Sequence, residues 1–182
     1  LFLGSAGVGR LTLVDDDVVD LTNLQRQIAH TTERVGSPKV DSIAQAVHAI
    51  NPLVQMDRVR QRVDAAALFA LVAQADVVLD CSDNYRTRQA INAACVRQRR
   101  PLVAGAAIRF DGQISVYDPR GADQPCYACL FPPDAQFEEV ACSTMGVFAP
   151  MVGIIGSMQA AEALKLITGV GSSLAGRLLM LD

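Results

Sequence analysis

The chain has 182 residues, 16 basic against 19 acidic side chains for a formal net charge of -3, 51% hydrophobic residues and a mean hydropathy of +0.25. That is enough chain and enough apolar content to bury a core without a disulfide scaffold, which excludes intrinsic disorder. The acidic balance, with a pI near 5.3, excludes sequence-independent nucleic-acid binding, which needs clustered Lys and Arg against phosphates.

The first residues, Leu1-Phe-Leu-Gly-Ser-Ala6, read as the end of a helix already under way, so a further N-terminal segment is expected to precede them. Residues 11–15 form a short β-rich run and lead into a polar loop. From Lys39 to Ile50 the apolar residues Val40, Ile43, Ala46, Val47 and Ile50 recur at helical spacing. Beyond it the pattern predicts a strand over 54–59, a helix over 65–75, a strand over 76–80, a helix over 86–97 and a strand over 101–106. This alternation predicts βαβ units, hence an α/β fold with a mostly parallel sheet and helices on both faces. Residues 112–117 alternate like a half-buried strand and predict an antiparallel addition in the C-terminal half. The segment 118–140 holds four of the eight prolines and two cysteines and reads as a long excursion. A helix over 151–168, a Gly169-Val-Gly171 stop and a strand over 177–182 complete the chain.

Residues 140–161 carry no charge over 22 positions, a length that could span a bilayer. They also contain Pro150, Gln159 and several Ser, Thr and Gly, with Glu138-Glu139 in place of a basic flank, so a buried helix is expected and no membrane partner. Five cysteines without a secretory signal predict a reducing, cytoplasmic setting.

The glycines of Gly4-x-x-Gly7-x-Gly9 resemble a dinucleotide-binding fingerprint, but a phosphate-cradling loop follows a strand and opens a helix. These precede a strand, so Gly7 is expected to end a helix in the left-handed conformation. Asp15 closes a short strand, where open α/β sheets grip ribose hydroxyls; the alternative is a solvated turn of Asp15, Asp16 and Asp17. Arg26 and Lys39 suit polyphosphate, Arg as a planar fork and Lys as a point charge, or are ordinary surface charges. With fourteen Arg and two Lys in the chain, Lys39 stands alone over the first 164 positions. The run Val77-Val-Leu-Asp80-Cys-Ser-Asp83-Asn84 ends a strand in acids. A carboxylate there can hold Mg2+ against a phosphate, or Ser82, Asp83 and Asn84 can cap the next helix. His30 and His48 have no indicated partner acid and read as structural.

Six blocks then occur in series: Leu11-Thr-Leu-Val-Asp15-Asp-Asp17 leading to Asn23-Leu-Gln-Arg26-Gln, Gly36-Ser-Pro-Lys39, Leu79-Asp-Cys-Ser-Asp83-Asn84, Gly105-Ala-Ala-Ile-Arg109 with Gly112-Gln-Ile, and Pro125-Cys126-Tyr-Ala-Cys129. In that order they resemble the MoeB/ThiF/HesA family, bacterial relatives of ubiquitin-activating enzymes, over essentially the whole chain. The resemblance implies a Rossmann-like nucleotide-binding domain. It also implies ATP-dependent adenylylation of the C-terminal Gly-Gly carboxylate of a ubiquitin-like sulfur carrier, of the kind serving molybdopterin or thiamine synthesis, with release of pyrophosphate. Carried onto this chain, Asp15 holds the ribose, Asn23, Arg26 and Lys39 contact the phosphates, and Asp83 positions Mg2+. One triphosphate pocket would thus draw on Arg26, Lys39 and Asp83 together.

The resemblance also assigns the cysteines. Cys126 and Cys129 match half of the family's four-thiolate zinc site, so Zn2+ is expected in the complete protein; a thioredoxin-like redox pair is the alternative, disfavoured because the pair is expected in a loop. Cys142 matches a cysteine of the family's crossover segment that can form a thioester or persulfide link to the carrier. Cys81 and Cys95 read as inert core. The family's first strand, glycine-rich loop and N-terminal arginine would lie upstream of Leu1. A truncated, non-catalytic carrier-binding module is therefore an alternative, as is, more distantly, a nicotinamide-dependent dehydrogenase. A homodimer is expected, with Gly153, Gly156 and Ala160 of the last helix allowing close backbone approach.

Overall fold

In the computed structural model residues 1–134 and 146–182 are described, and they group into two units, Leu1–Val63 and Asp64–Asp182, each with its own packed interior. The first begins with a short helix, α1 (Phe2–Ser5), stopped by a Schellman turn. Gly7 N–H donates to Gly4 O (3.1 Å), Val8 N–H donates to Leu3 O (3.2 Å), and Gly7 takes a φ of +82°, the left-handed conformation expected of it. Strand β1 (Arg10–Val14) pairs in parallel with β2 (Gln55–Val59), from Arg10 opposite Gln55 to Val14 opposite Val59.

Between them runs α2 (Lys39–Ile50), the helix its apolar spacing predicts. Pro38 stands before it and Lys39 opens it, a position where proline's fixed φ and missing N–H cost nothing. Val40, Ala44 and Val47 form its buried face, and Val19 and Val54 are also buried in this unit. A Cβ on Gly4 would come within 2.6 Å of Val47 Cγ1, so glycine is what lets α1 lie this close to α2. Asn51 Nδ2, donating to Gly4 O (3.0 Å), fastens the far end. Asp41, in the first turn of α2, receives Arg60 Nη2 (2.7 Å) and Arg58 Nη1 (3.3 Å), tying β2 and the residue after it to the helix.

The second unit carries a four-stranded sheet in the order β3-β4-β5-β6, formed by Val78–Asp80, Leu102–Ile108, Asp111–Tyr117 and Leu178–Leu181. β3 and β4 are parallel; β4, β5 and β6 are successively antiparallel, which is the predicted C-terminal addition. Strand alternation sorts the two faces. Leu102, Ala104 and Tyr117 join Val72 of α3 (Ala65–Gln74) and Ala94 and Cys95 of α4 (Tyr85–Gln98) in one core. On the opposite face Gly105 and Gly112 lie against the long C-terminal helix Ala149–Thr168, where Gln159, Met151 and Ile155 would collide with a Cβ at either glycine.

Within the excursion the structure adds an element that sequence periodicity does not show: α5 (Tyr127–Leu130). Its anchor is Tyr127, 4% exposed, whose ring stacks on Phe131 (4.7 Å) and meets Tyr117 edge-on (6.1 Å). The C-terminal helix, hereafter α6, exposes Gly153 and Gly156 but buries Ala160, so the expected small-residue stripe is only partly exposed. Among the described residues no helix is long and apolar enough to cross a membrane.

Candidate functional site

In the second unit, chemistry concentrates where β3 ends. The parallel ladder stops at Asp80 opposite Ala104, and the chain must turn into α4 within four residues. Three acidic or amide side chains divide that task. Asp80, 1% exposed, folds its carboxylate over the turn: Oδ1 accepts from Ser82 N–H (2.9 Å) and from Ser82 Oγ (2.7 Å). Asn84 is the N-cap of α4, its Oδ1 accepting from Thr87 N–H (2.9 Å). Asp83 lies between them, exposed, with no side-chain hydrogen bond or ion pair among the described residues. The capping alternative for Asp83 is therefore excluded, because Asn84 takes that position.

Two long side chains hold the turn from opposite layers. Arg88 of α4 donates through Nη2 to Ser82 O and through Nη1 to Gly105 O (3.3 Å). Gln159 of α6, 4% exposed, donates through Nε2 to Asp80 O (2.8 Å) and Val103 O (3.2 Å). Neither residue stands out in the sequence. The one signal for Gln159 is an amide inside an otherwise apolar helix, a position that calls for buried partners. Cys81 is exposed as a residue, yet its Sγ lies 3.8 Å from Gln159 Oε1 and burial pushes the thiol up to about 11, the inert sulfur expected of it. Cys95 is buried as expected, and burial pushes its thiol up to about 12.

Cys126 and Cys129 do not lie in a plain loop. Cys126 is the N-cap of α5 and Cys129 closes its first turn, so the pair opens a helix, if one of only four residues. Their sulfurs are 3.7 Å apart. Two thiolates on one tetrahedral zinc, each about 2.3 Å from the metal, stand about 3.8 Å apart, so the spacing fits half of such a site. Asn92 of α4, 4% exposed, organises it: Oδ1 accepts from Tyr127 N–H (3.0 Å) and Nδ2 donates to Cys126 Sγ (3.6 Å). Burial pushes the Cys126 thiol up, but hydrogen bonds from Asn92, Cys129 and the amides of Ala128 and Cys129 outweigh it and hold the thiol below its usual range. With Tyr85 and Gln89, which donate to Phe131 O (2.7 and 2.6 Å), Asn92 forms one stripe of α4 that grips the cysteine helix. Cys142 lies outside the described residues.

In the first unit, Asp15 follows β1 directly, its N–H still donating to Val59 O (3.2 Å) and its Oδ1 accepting from Asp17 N–H (2.8 Å). One carboxylate oxygen each of Asp15, Asp16 and Asp17 fall within 4.8 Å of one another. Lys39 is brought to this cluster, with Nζ 2.7 Å from Asp17 Oδ2. Asn23 and Arg26 are engaged locally. Asn23 Oδ1 accepts from Asp20 N–H (3.1 Å) in a capping box, and Arg26 Nη1 donates to Thr22 O (3.2 Å). Gln27 Oε1 is buried without a partner among the described residues. His30 is structural, as expected, with Nδ1 2.8 Å from Ser42 Oγ, while His48 is exposed.

Parallel strands ending in acids, a helix bridging β1 and β2, and helices on both faces of the second sheet define an α/β protein of Rossmann-like build. Over residues 1–182 the chain matches the family model described as "ThiF family" and belongs to that family. It is 47% identical to the molybdopterin-synthase adenylyltransferase of Escherichia coli K12 over 183 residues, and 48% identical to the sulfur carrier protein ThiS adenylyltransferase of the same strain over 182. Both matches cover 100% of this chain, and 72% and 71% of those relatives. Among solved structures it is similar to E. coli MccB with ATP, at a TM-score of 0.79 and 23% identity over 96% of this chain and 53% of that one. That likeness shows the fold. Nucleotidyltransferase activity is the named property of the curated family members, and nothing in these matches favours a dehydrogenase.

Proposed function

We propose that the protein is an adenylyltransferase that uses ATP to activate the C-terminal carboxylate of a ubiquitin-like sulfur carrier, releasing pyrophosphate. The observation that carries the reading is the division of labour after β3: with Asn84 capping α4 and Asp80 holding the turn, Asp83 is left exposed and unspent. An exposed carboxylate at the carboxyl end of a parallel strand is a hard oxygen donor suited to Mg2+, which when bound neutralises phosphate charge. The identities near one half to two named adenylyltransferases support the same chemistry. They do not separate the molybdopterin type of carrier from the thiamine type.

In this reading the carrier carboxylate attacks the α-phosphorus, and negative charge builds on the α-phosphoryl oxygens and the departing pyrophosphate. Asp15 accepts from the ribose with the oxygen that Asp17 N–H leaves free. Asn23 and Arg26 turn from their local partners to the phosphates, and Lys39 exchanges Asp17 for a phosphate oxygen. Cys126 and Cys129 hold Zn2+ with two further ligands, and Cys142 serves the covalent link to the carrier. The setting is a reducing cytoplasm, and two copies pair through the exposed Gly153 and Gly156 face of α6.

The test is carrier-dependent ATP–pyrophosphate exchange. Asp83→Ala lowers the rate by about 10²–10³, the scale of one preorganised electrostatic group. Exchange at wild-type speed in that variant refutes the assignment.

A further inference from the structure

We propose that Asp80 is a positioning residue for the reaction, fixing the orientation of Asp83 through Ser82. The inference rests on the role given above to Asp83 and adds a cause for its placement. Asp80 is 1% exposed at the last rung of β3, yet only one of its carboxylate oxygens is used: Oδ1 takes both bonds from Ser82, and Oδ2 is buried with no partner among the described residues. A half-satisfied buried carboxylate works against stability. An apolar residue at this strand position would pack at no such cost, so the carboxylate is retained for what Oδ1 does.

What Oδ1 does is close an Asx turn two residues on, a geometry that dictates the path of the backbone into residue 83. The rest of the surroundings freezes the same three residues. Gln159 holds the carbonyl of Asp80 from α6, and Arg88 holds the carbonyl of Ser82 from α4 while also bonding Gly105 O. Residues 80–82 are thereby fixed at a side chain and at two carbonyls, and the next residue, Asp83, is presented to solvent with no side-chain bond among the described residues. Rigid support of this kind is what a group needs when its work is to meet charge at one position, since a misplacement near 1 Å can cost about 10² in rate.

The experiment is a double-mutant cycle on the intact protein, read as kcat for carrier-dependent ATP–pyrophosphate exchange. Asp80→Ala is expected to lower kcat by about 10²-fold. Asp80→Asn, which keeps the acceptor, retains most of the rate. The double variant Asp80→Ala/Asp83→Ala is no slower than Asp83→Ala alone, because a residue acting only through Asp83 has nothing left to act on. Should Asp80→Ala fail to fold, Ser82→Ala, which removes one of the two bonds, gives a smaller loss that likewise vanishes in the Asp83→Ala background. Losses that add, an Asp80→Asn as slow as Asp80→Ala, or an Asp80→Ala at wild-type rate each overturn the inference. These outcomes are distinct from failure of the functional reading, which shows as a wild-type rate in Asp83→Ala by itself.

Discussion

Replacing Gly105 by alanine tests the packing behind the β3 turn. A Cβ there would stand 2.5 Å from Gln159 Cδ, 2.6 Å from Oε1 and 2.8 Å from Nε2, so one group must move. The amide cannot shift without consequence, since its Nε2 bonds Asp80 O at 2.8 Å and Val103 O at 3.2 Å in a site with 4% exposure. If Gln159 stays, overpacking costs about 1–3 kcal/mol. If it swings out, two hydrogen bonds go at about 1 kcal/mol each, with further cost for carbonyls left dry. The two routes together bracket a loss of about 1–4 kcal/mol, which for a chain of this size lowers Tm by roughly 2–16 °C. Calorimetry on Gly105→Ala reads this directly. Adding Gln159→Ala removes the clash, so the double variant is less destabilised than the two single losses summed. A Gly105→Ala protein melting within about 2 °C of wild type would refute the claim that the glycine exists to admit the amide.

Two further predictions concern separate groups. Burial first, then the charges of Lys39 and Arg34, hold the His30 imidazole below its ordinary value. The unfolded chain therefore takes up this proton at higher pH than the folded one, so the contribution is fully present above about pH 6.5 and is lost as pH falls through that value towards the folded pKa. Chemical denaturation at about pH 7.5 and about pH 5.5 should show stability falling with acid, and His30→Gln should flatten that slope; an unchanged slope removes His30 from the account. Asn92→Ala strips the acceptor from the buried Tyr127 N–H and the donor from Cys126 Sγ. It should destabilise the protein by about 1–3 kcal/mol. At the proposed zinc site it should also weaken metal binding by about 10–100-fold in a chelator competition, and an affinity equal to wild type would show that Asn92 does not tune the cysteine pair.

Much of this architecture was legible in residue order, and the reasons are local. Apolar spacing gave the limits of α2, alternation gave the antiparallel β5, and a glycine ahead of a strand gave the left-handed stop at Gly7. What stayed hidden depends on partners distant in sequence. α5 spans four residues, too few for a period to register, and is built by aromatic packing from Tyr117, Tyr85 and Phe131. Asp80, Arg88 and Gln159 acquire meaning only when β3, α4 and α6 meet. Residue type named Lys39 and Arg26 as phosphate groups and the family resemblance added Asn23, yet neither could show that Asp17, Thr22 and Asp20 already engage them. The same limit applies to Cys126 and Cys129: their spacing was plain, but the amide of Asn92 that draws hydrogen bonds around them comes from 34 positions away.

The stripe of Tyr85, Gln89 and Asn92 gives α4 a double duty. Its first turn begins where the acid turn ends, and its flank clasps the segment bearing the paired sulfurs. A helix is a stiff strut, so a nudge at the sulfur end is passed along the axis to the residue that would meet phosphate. If zinc occupies the pair as proposed, stripping it should therefore slow nucleotide turnover, and the paired thiols would act as a clamp on the geometry around Asp83 as much as a staple for the fold.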